Sequence, residues 1–325
     1  MSTSAATRTR LPDSVGLILR WLLAKFAGGI FVLWAVASAI FFGIRLIPGN
    51  PAEAIMGGPG SQASAEALAA ARTHYGLDLP LYVQYFRQLG QLAKGDLGTS
   101  YSLKSPVSEV LGELLPSTLV LAGLALLFAW ILALVLAMLS TRSGALGSAL
   151  ASGLEIVSAA VPHFWLASVL IMVFSTLLGW LPPVSTNTLA GLILPVITLA
   201  LPLAGFLGQV MRDTMMEAQR SAFSLSARAR GESEIGLLLR HSLRHSALPG
   251  IALSGWALGS LLSGAVVVES IFARPGLGRS LLSAVTSRDI PLVTGVALVS
   301  AGAYVVIMAL SDLAERFADP RIGRS

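Results

Sequence analysis

With four histidines and no cysteine, the sequence can support only a narrow range of side-chain chemistry. His241 and His245 stand four apart in a stretch of helical pattern. That spacing puts two imidazoles on one helix face, as in the zinc-binding His-Glu-x-x-His motif. Here the intervening residues are Ser242, Leu243 and Arg244, so the glutamate base is missing, and no third ligand stands nearby. Solvated or headgroup-facing histidines are the simpler reading, and no metal site is expected. Without cysteine, disulfides, thiolate metal sites and thiol nucleophiles are excluded. A phosphate-cradling loop needs Gly-Lys-Ser/Thr opening a helix. The lysines are Lys25, Lys94 and Lys104, and none follows a glycine, so no nucleotide site is expected on this chain. Neither Gly-x-Ser-x-Gly nor His-Glu-x-x-His occurs, so no catalytic residue is assigned and an intramembrane protease is disfavoured.

The ionisable residues inside apolar stretches are few, and desolvation makes each a functional suspect. Glu155, Glu269, Asp312 and Arg45 all lie near the ends of such stretches and read as interfacial. An ion-coupled carrier needs ionisable groups at mid-membrane, so their scarcity places the energy source elsewhere. His163 follows Pro162 and precedes Phe164-Trp165; it either lines a route at a kink or packs between helices. The stretch 212–245 is the most informative. It runs Arg212-Asp213-Thr214, Glu217 to Phe223, then Ala227-Arg228-Ala229-Arg230-Gly231. Ser221 or Ser224 is placed to cap a short helix through Arg230, with Gly231 ending it in the left-handed conformation. Leu225 and Ala229 would share one side and the arginines the other. Such a helix either lies on the bilayer surface or projects to dock in a groove on a soluble partner.

The elements that must carry these residues are transmembrane. The chain is 54% hydrophobic and only 12% charged, against about 25% charged in a soluble domain. Its apolar residues fall in runs of about 20, the length a helix needs to cross about 30 Å of hydrocarbon. Six spans are expected, at about 26–47, 118–140, 152–180 (interrupted by Pro162), 189–211 (containing Pro195 and Pro202), 247–270 and 291–312. The apolar run after the polar Met1–Leu11 start continues into Arg45 and Pro48 with no small-residue cleavage site, so it reads as a retained span. The net charge of +5 and the pI near 10 come from basic residues between the spans, a topology signal rather than a nucleic-acid footprint. Arg8, Arg10, Arg20, Lys25, Arg142, the arginines of 212–245, Arg316, Arg321 and Arg324 all fall on one side of a six-span chain. Both termini are therefore expected in the cytoplasm; Arg274, Arg279 and Arg288 run against that contrast.

This divides the chain into a cytoplasmic segment 1–25, span one at 26–47, an extracytoplasmic region 48–117, a five-span core 118–312 containing the loop 212–245, and a cytoplasmic tail 313–325. The region 48–117 opens with Pro48-Gly49-Asn50-Pro51 and a Gly57-Gly58-Pro59-Gly60 turn. Two helices are expected in it, near Ala65–Tyr75 and Leu81–Lys94, the second with Tyr82, Tyr85 and Leu89 on a packed face. No internal repeat or low-complexity tract is present.

Several motifs in this order resemble the permease subunit of bacterial ABC importers of the dipeptide/oligopeptide/nickel type, in its first-permease (dipeptide permease B-like) branch. They are Leu46-Ile47-Pro48-Gly49-Asn50-Pro51, Tyr75-Gly76-Leu77-Asp78-Leu79-Pro80-Leu81, Gly95-Asp96-Leu97-Gly98-Thr99-Ser100, Leu115-Pro116-Ser117-Thr118-Leu119, and Pro162-His163-Phe164-Trp165-Leu166. Glu269-Ser270-Ile271-Phe272, Pro275-Gly276-Leu277-Gly278, Arg288-Asp289-Ile290-Pro291 and Asp319-Pro320-Arg321-Ile322 complete the set. The departures are Asn50 for a more usual aspartate, His245 for a common asparagine, the acidic Glu232-Ser233-Glu234, and a long N-terminal extension.

The resemblance implies an all-α, six-span, type I ABC importer permease fold with an extracytoplasmic helical insertion. It implies transport of short peptides, with nickel or a metal–metallophore complex as the alternative cargo. It implies a homologous second permease, two ATP-binding subunits that hold the ATP and magnesium, an extracytoplasmic solute-binding protein, and residence in the bacterial inner membrane. The loop from Ala227 to Pro249 matches that family's coupling loop. Phe223, Ser226, Ala227, Arg228, Ala229, Arg230 and Gly231 are the residues it assigns to ATPase contact. His163, Trp165, Trp256 and Glu269 are the candidates for the lining of the route.

Overall fold

The computed structural model describes residues 14–46, 51–56, 63–142, 144–186, 188–237 and 243–318. Six long apolar segments dominate them. Helix α1 covers Ser14–Leu46 and α2 Pro51–Ile55; α3 (Ala65–His74) and α4 (Leu81–Ala93) complete the insertion. Helix α5 covers Val107–Arg142. Its 36 residues reach about 54 Å at 1.5 Å per residue, longer than a bilayer core, so its ends stand clear of the hydrocarbon. It takes in Pro116 and begins ten residues before the expected boundary of the insertion at 117.

The third span is not one kinked helix. Helix α6 (Ala145–Ala160) and helix α7 (His163–Leu170), continued by a π-helical segment Ile171–Leu177, meet at 107°. Val161 is forced extended (φ −75°, ψ 126°) by the ring that follows it. Pro162 lacks an N–H, so the hydrogen-bond ladder stops and restarts at His163. Beyond this pair come α8 (Leu189–Arg220), α9 (Ala222–Ala229), α10 (Glu234–Leu237), α11 (Leu243–Ile271), α12 (Leu277–Thr286) and α13 (Ile290–Ala318). Five helices are individually long and apolar enough to cross a membrane, and the bent pair makes a sixth crossing when its two arms are counted as one span.

Helix α8 is the hub. It packs along α5, α6 and α11, while α13 joins α11 to α1. Leu194, Leu199, Leu203, Leu207, Met211 and Met215 make its buried stripe, against Ala125, Ala129, Ala133 and Ala137 of α5. Small residues let the backbones approach closely, which matters in lipid because no hydrophobic force drives helices together there. At Gly205 even a Cβ would stand 2.5 Å from the Glu155 carbonyl oxygen and 2.6 Å from Ala159 N, so only glycine admits α6. Large apolar side chains on the outer faces, such as Phe31, Leu127, Ile131, Val157 and Leu310, are exposed, as a lipid-facing surface requires.

The insertion helices fall within a residue of expectation. Ser64 caps α3 through its side chain, which accepts from Ala67 N at 3.2 Å. On α4 the packed face is narrower than Tyr82, Tyr85 and Leu89. Tyr85 stacks on Phe41 and Phe42, but Tyr82 is exposed. The Pro48–Asn50 and Gly57–Gly60 motifs, the 1–13 segment, His241 with the metal reading of its pair, and the Asp319–Ile322 motif lie outside the described residues.

Candidate functional site

Helix α8 ends at Arg220, where Ser221 turns extended (φ −74°, ψ 159°) and α9 starts. The serines do not cap α9 as expected. Ser221 Oγ and Ser224 Oγ both donate backward to Ala218 O, each at 2.6 Å. They stitch α9 onto the end of α8, and Ser224 and Ala227 form the buried side of α9. Leu225 and Ala229, expected on a bilayer-facing side, point to solvent together with Ser226, Arg228 and Arg230. The backbone of Phe223 lies in the first turn.

The exit from α9 is a Schellman turn. Gly231 has φ +84°. Its N–H reaches Arg228 O at 2.9 Å, and the Glu232 N–H reaches Ala227 O at 3.2 Å. This is the paired pattern that terminates helices on a left-handed residue, and glycine enters that conformation without a Cβ penalty. Ser233 Oγ then accepts from Gly236 N at 3.1 Å, starting α10, and Leu237 is buried. The result is a short, arginine-bearing protrusion tied to α8 at its start and closed by the Gly231 turn at its exit.

Two turns back along α8, Arg212 reaches into the bundle. Its Nη1 pairs with Glu155 Oε2 at 2.8 Å, and its Nε and Nη2 donate to Asp213 at 3.0 Å. Glu155 is fully buried rather than interfacial. Ser140 Oγ of α5 donates to its other oxygen at 3.4 Å, and Gln209 holds its backbone carbonyl. Three helices, α5, α6 and α8, therefore meet on one carboxylate close to the protrusion.

The opposite end of the bundle holds two more buried carboxylates. Glu269, expected at an interface, is sealed at the end of α11. Its Oε1 accepts from Thr118 Oγ1 at 2.6 Å, and its Oε2 from Gly278 N at 2.7 Å and Arg279 N at 3.2 Å. It thereby caps α12, where the free N–H groups favour negative charge. Gly276 leaves room for it; a Cβ there would overlap the carboxylate. Arg274 in the same loop donates to Ser185 Oγ at 3.1 Å and Ser117 O at 3.3 Å. Burial pulls its basicity down, and the Glu269 charge works against that pull.

Asp289 is also fully buried. Its Oδ2 accepts from Ser100 Oγ (2.5 Å), Ser102 N (2.9 Å) and Ser102 Oγ (2.7 Å), and its Oδ1 from Leu292 N at 3.2 Å. Burial alone would raise its pKa. The bonds from Ser100, Ser102 and the Tyr101 backbone outweigh that and hold the carboxyl below the usual aspartate range. One side chain caps α13 and ties it to the insertion. Nearby, burial pushes the Tyr101 hydroxyl up to about 12, helped by Tyr75 and Asp289 and opposed by Arg45.

The route candidates occupy separate surroundings. His163 is half-buried against Gly264 of α11. Trp165 is exposed on α7. Trp256 is half-exposed, with its ring 5.0 Å from Phe206. Sequence reading passed over the Glu155–Arg212 pair, because its partners are 57 residues apart. Asp289 carried a usable signal, an aspartate directly before an apolar run.

The comparisons with known proteins agree along the chain. The family described as binding-protein-dependent transport system inner membrane component matches residues 131–324, and its N-terminal companion matches residues 18–122. A glutathione transport system permease protein of Salmonella paratyphi A is 33% identical over 306 residues, covering 94% of this chain and 99% of that protein. A proposed peptide transport system permease protein of Brucella abortus is 35% identical over 310 residues, covering 93% and 98%. Among solved structures, an amino acid ABC transporter determined with histidines aligns with a TM-score of 0.52 at 19% identity, covering 64% of this chain and 94% of its own. That likeness concerns the fold.

Proposed function

The chain belongs to the family of binding-protein-dependent transport system inner membrane components and is a multi-pass permease subunit of an ABC importer, and from that premise we propose that its cargo is a short peptide. The near full-length match to a glutathione permease and a proposed peptide permease carries this reading, since glutathione is itself a short peptide. The importer works with ATPase and binding-protein partners. We assign one homologous second permease and two ATP-binding subunits, which hold the ATP and magnesium, and an extracytoplasmic binding protein that delivers the cargo.

The protrusion α9 to Gly231 sits on the cytoplasmic side in this reading and seats in an ATPase groove through Phe223, Ser226, Arg228, Ala229 and Arg230, with Ala227 buried behind them on the inner side of α9. What supports this is its attachment: Ser221 and Ser224 bind the start of α9 to the end of α8, so a displacement of α9 by the ATPase moves α8, and α8 packs against three other spans. The insertion then faces outward. A helix pushed at one end transmits work only if the two nucleotide states contact it differently.

The test is uptake of a labelled tripeptide by cells that express the intact importer or lack this chain. Loss of uptake on deletion, restored by the wild-type gene, is expected; uptake that persists without the partner ATPase would instead support a secondary carrier. A Gly231→Val variant is expected to insert normally and to lose uptake, because a β-branched residue in the left-handed region costs at least about 1–2 kcal/mol. Normal uptake by Gly231→Val at normal expression would remove α9 from the coupling role and leave the cargo assignment standing.

A further inference from the structure

Helix α4 is built the wrong way round for a helix that merely covers a protein surface. Its Tyr82 and Phe86 are each 67% exposed, and Tyr85 leans on span one. The face bearing Gln84, Arg87, Gln88 and Gln91 lines a cavity of about 480 Å³ between the insertion, the end of α1 and the start of α13, with Gln84 and Gln88 half-buried and Arg87 and Gln91 exposed at its rim. That volume is within the range of small-ligand sites.

The cavity is rich in hydrogen-bond donors. Arg45 enters from the end of span one, and its guanidinium is held by Phe41 O at 2.8 Å and Gln84 Oε1 at 2.7 Å. Gln84 is itself fixed by Leu77 O and Leu79 O, so it acts as a bracket for Arg45. Three further donors of Arg45 remain. Arg87, Gln88 and Gln91 make no side-chain hydrogen bond among the described residues. Thr294 Oγ1 lines the far wall, is 97% buried and has no partner. Tyr101, with its hydroxyl pushed up to about 12, keeps its proton. Asp96 is the lining carboxylate, and its Oδ1 is engaged by Gly98 N. Two guanidinium groups thus share the cavity with one carboxylate, one of whose oxygens is already engaged. A buried polar group left without a partner is costly, and an acceptor-rich guest would supply what this cavity lacks.

We propose that this cavity is a binding site for a small anionic group, a carboxylate or a phosphate, taken between Arg45 and Arg87. Arginine suits this because its planar fork matches both oxyanions bidentately. The group comes either from a soluble solute or from the headgroup of an anionic lipid, since the cavity lies where span one leaves the membrane. The site is separate from α9 and does not depend on the identity of the cargo. A guest there would bridge the insertion to α13, beside the tie already made by Asp289.

The absence of native cysteine makes the test direct. Gln88→Cys supplies one thiol in the cavity wall, and its rate of maleimide labelling is followed on the full chain in a phosphate-free maltoside detergent. Three additions are compared at constant ionic strength: sodium phosphate, N-acetylglycine, and phosphatidylglycerol, with sodium chloride as the baseline. At about ten times its dissociation constant, a guest should slow labelling about tenfold by mass action. Protection by phosphate or N-acetylglycine identifies a soluble solute; protection by phosphatidylglycerol alone identifies a lipid headgroup. Either protection should vanish with Arg87→Gln and survive Arg72→Gln, which removes an exposed arginine of α3 outside the cavity wall. No protection by any of the three, or protection unchanged by Arg87→Gln, overturns the proposal.

Discussion

Asp289 shows how much one carboxylate can organise when both its oxygens accept hydrogen bonds. It receives four hydrogen bonds from two segments nearly two hundred residues apart and caps the last helix. Its pKa lies below the unfolded value of about 3.9, so the charged form is the one the fold prefers. The sign follows: its contribution is fully present above the unfolded pKa and is lost as pH falls through the folded one. Melting temperature should therefore drop between about pH 4 and lower values in the wild type. Asp289→Asn should melt lower at pH 7, by about 1.5–3 kcal/mol for the lost charge-assisted bonds, and should show a weaker fall in acid. A wild-type-like acid profile in Asp289→Asn would show that the carboxylate is protonated already. Glu269 plays the same capping part on α12, and its reading as a lining residue has to accommodate an oxygen pair already committed to Thr118 and two backbone amides.

Among the elements, what could be foreseen depended on whether the cause was local. The two insertion helices were legible because Ser64 and the 3.6-residue pattern of Leu81–Ala93 are local signals. The left-handed exit at Gly231 was legible because little other than glycine fits it. Pro162 announced a break but not its size; the 107° angle is set by packing against α8 and α11, which no neighbour in sequence encodes. Periodicity likewise found the faces of α4 without revealing which one lines the cavity. The outward placement of Leu225 was missed for a related reason: with Ser224 stitched to Ala218, the helix is rotated by its attachment and not by its apolar content. The packing of α6 on α8 gives a prediction in which two effects oppose. Alanine is the better helix former by about 1 kcal/mol, so propensity says Gly205→Ala stabilises. The 2.5 Å approach to the Glu155 carbonyl says otherwise, and overpacking typically costs about 1–3 kcal/mol. Sterics should win, and detergent-solubilised Gly205→Ala should melt below the wild type.

For the molecule as a whole, the carboxylates are sorted by end. Glu269 and Asp289 fasten loops and short helices at the insertion face. Glu155 fastens long helices to each other near α9, through a single arginine. Removing that arginine should be worse than removing the pair. Arg212→Ala leaves a buried charge without its partner, a situation that costs about 3–5 kcal/mol when solvent is excluded, and less here because Arg212 itself is partly exposed. The double variant Arg212→Ala with Glu155→Gln should recover much of the lost stability, read as melting temperature. If the double variant melts no higher than the single, the pair is not acting as a unit. The membership of the chain in its family was readable from motif order, whereas this internal lock was not.

Span one is attached almost entirely through α13 and α4, with Lys25 ion-paired to Asp312. Of the described helices, the earliest made is thus packed against the latest made. Chains emerge from the N-terminus onward, so α1 enters the bilayer without the neighbour it will keep. It must remain a lone segment while five further crossings are laid down. Its mean hydropathy of 2.1 is high enough to hold it there unaided, and the docking of α1 on α13 becomes a late, long-range step that translation itself times.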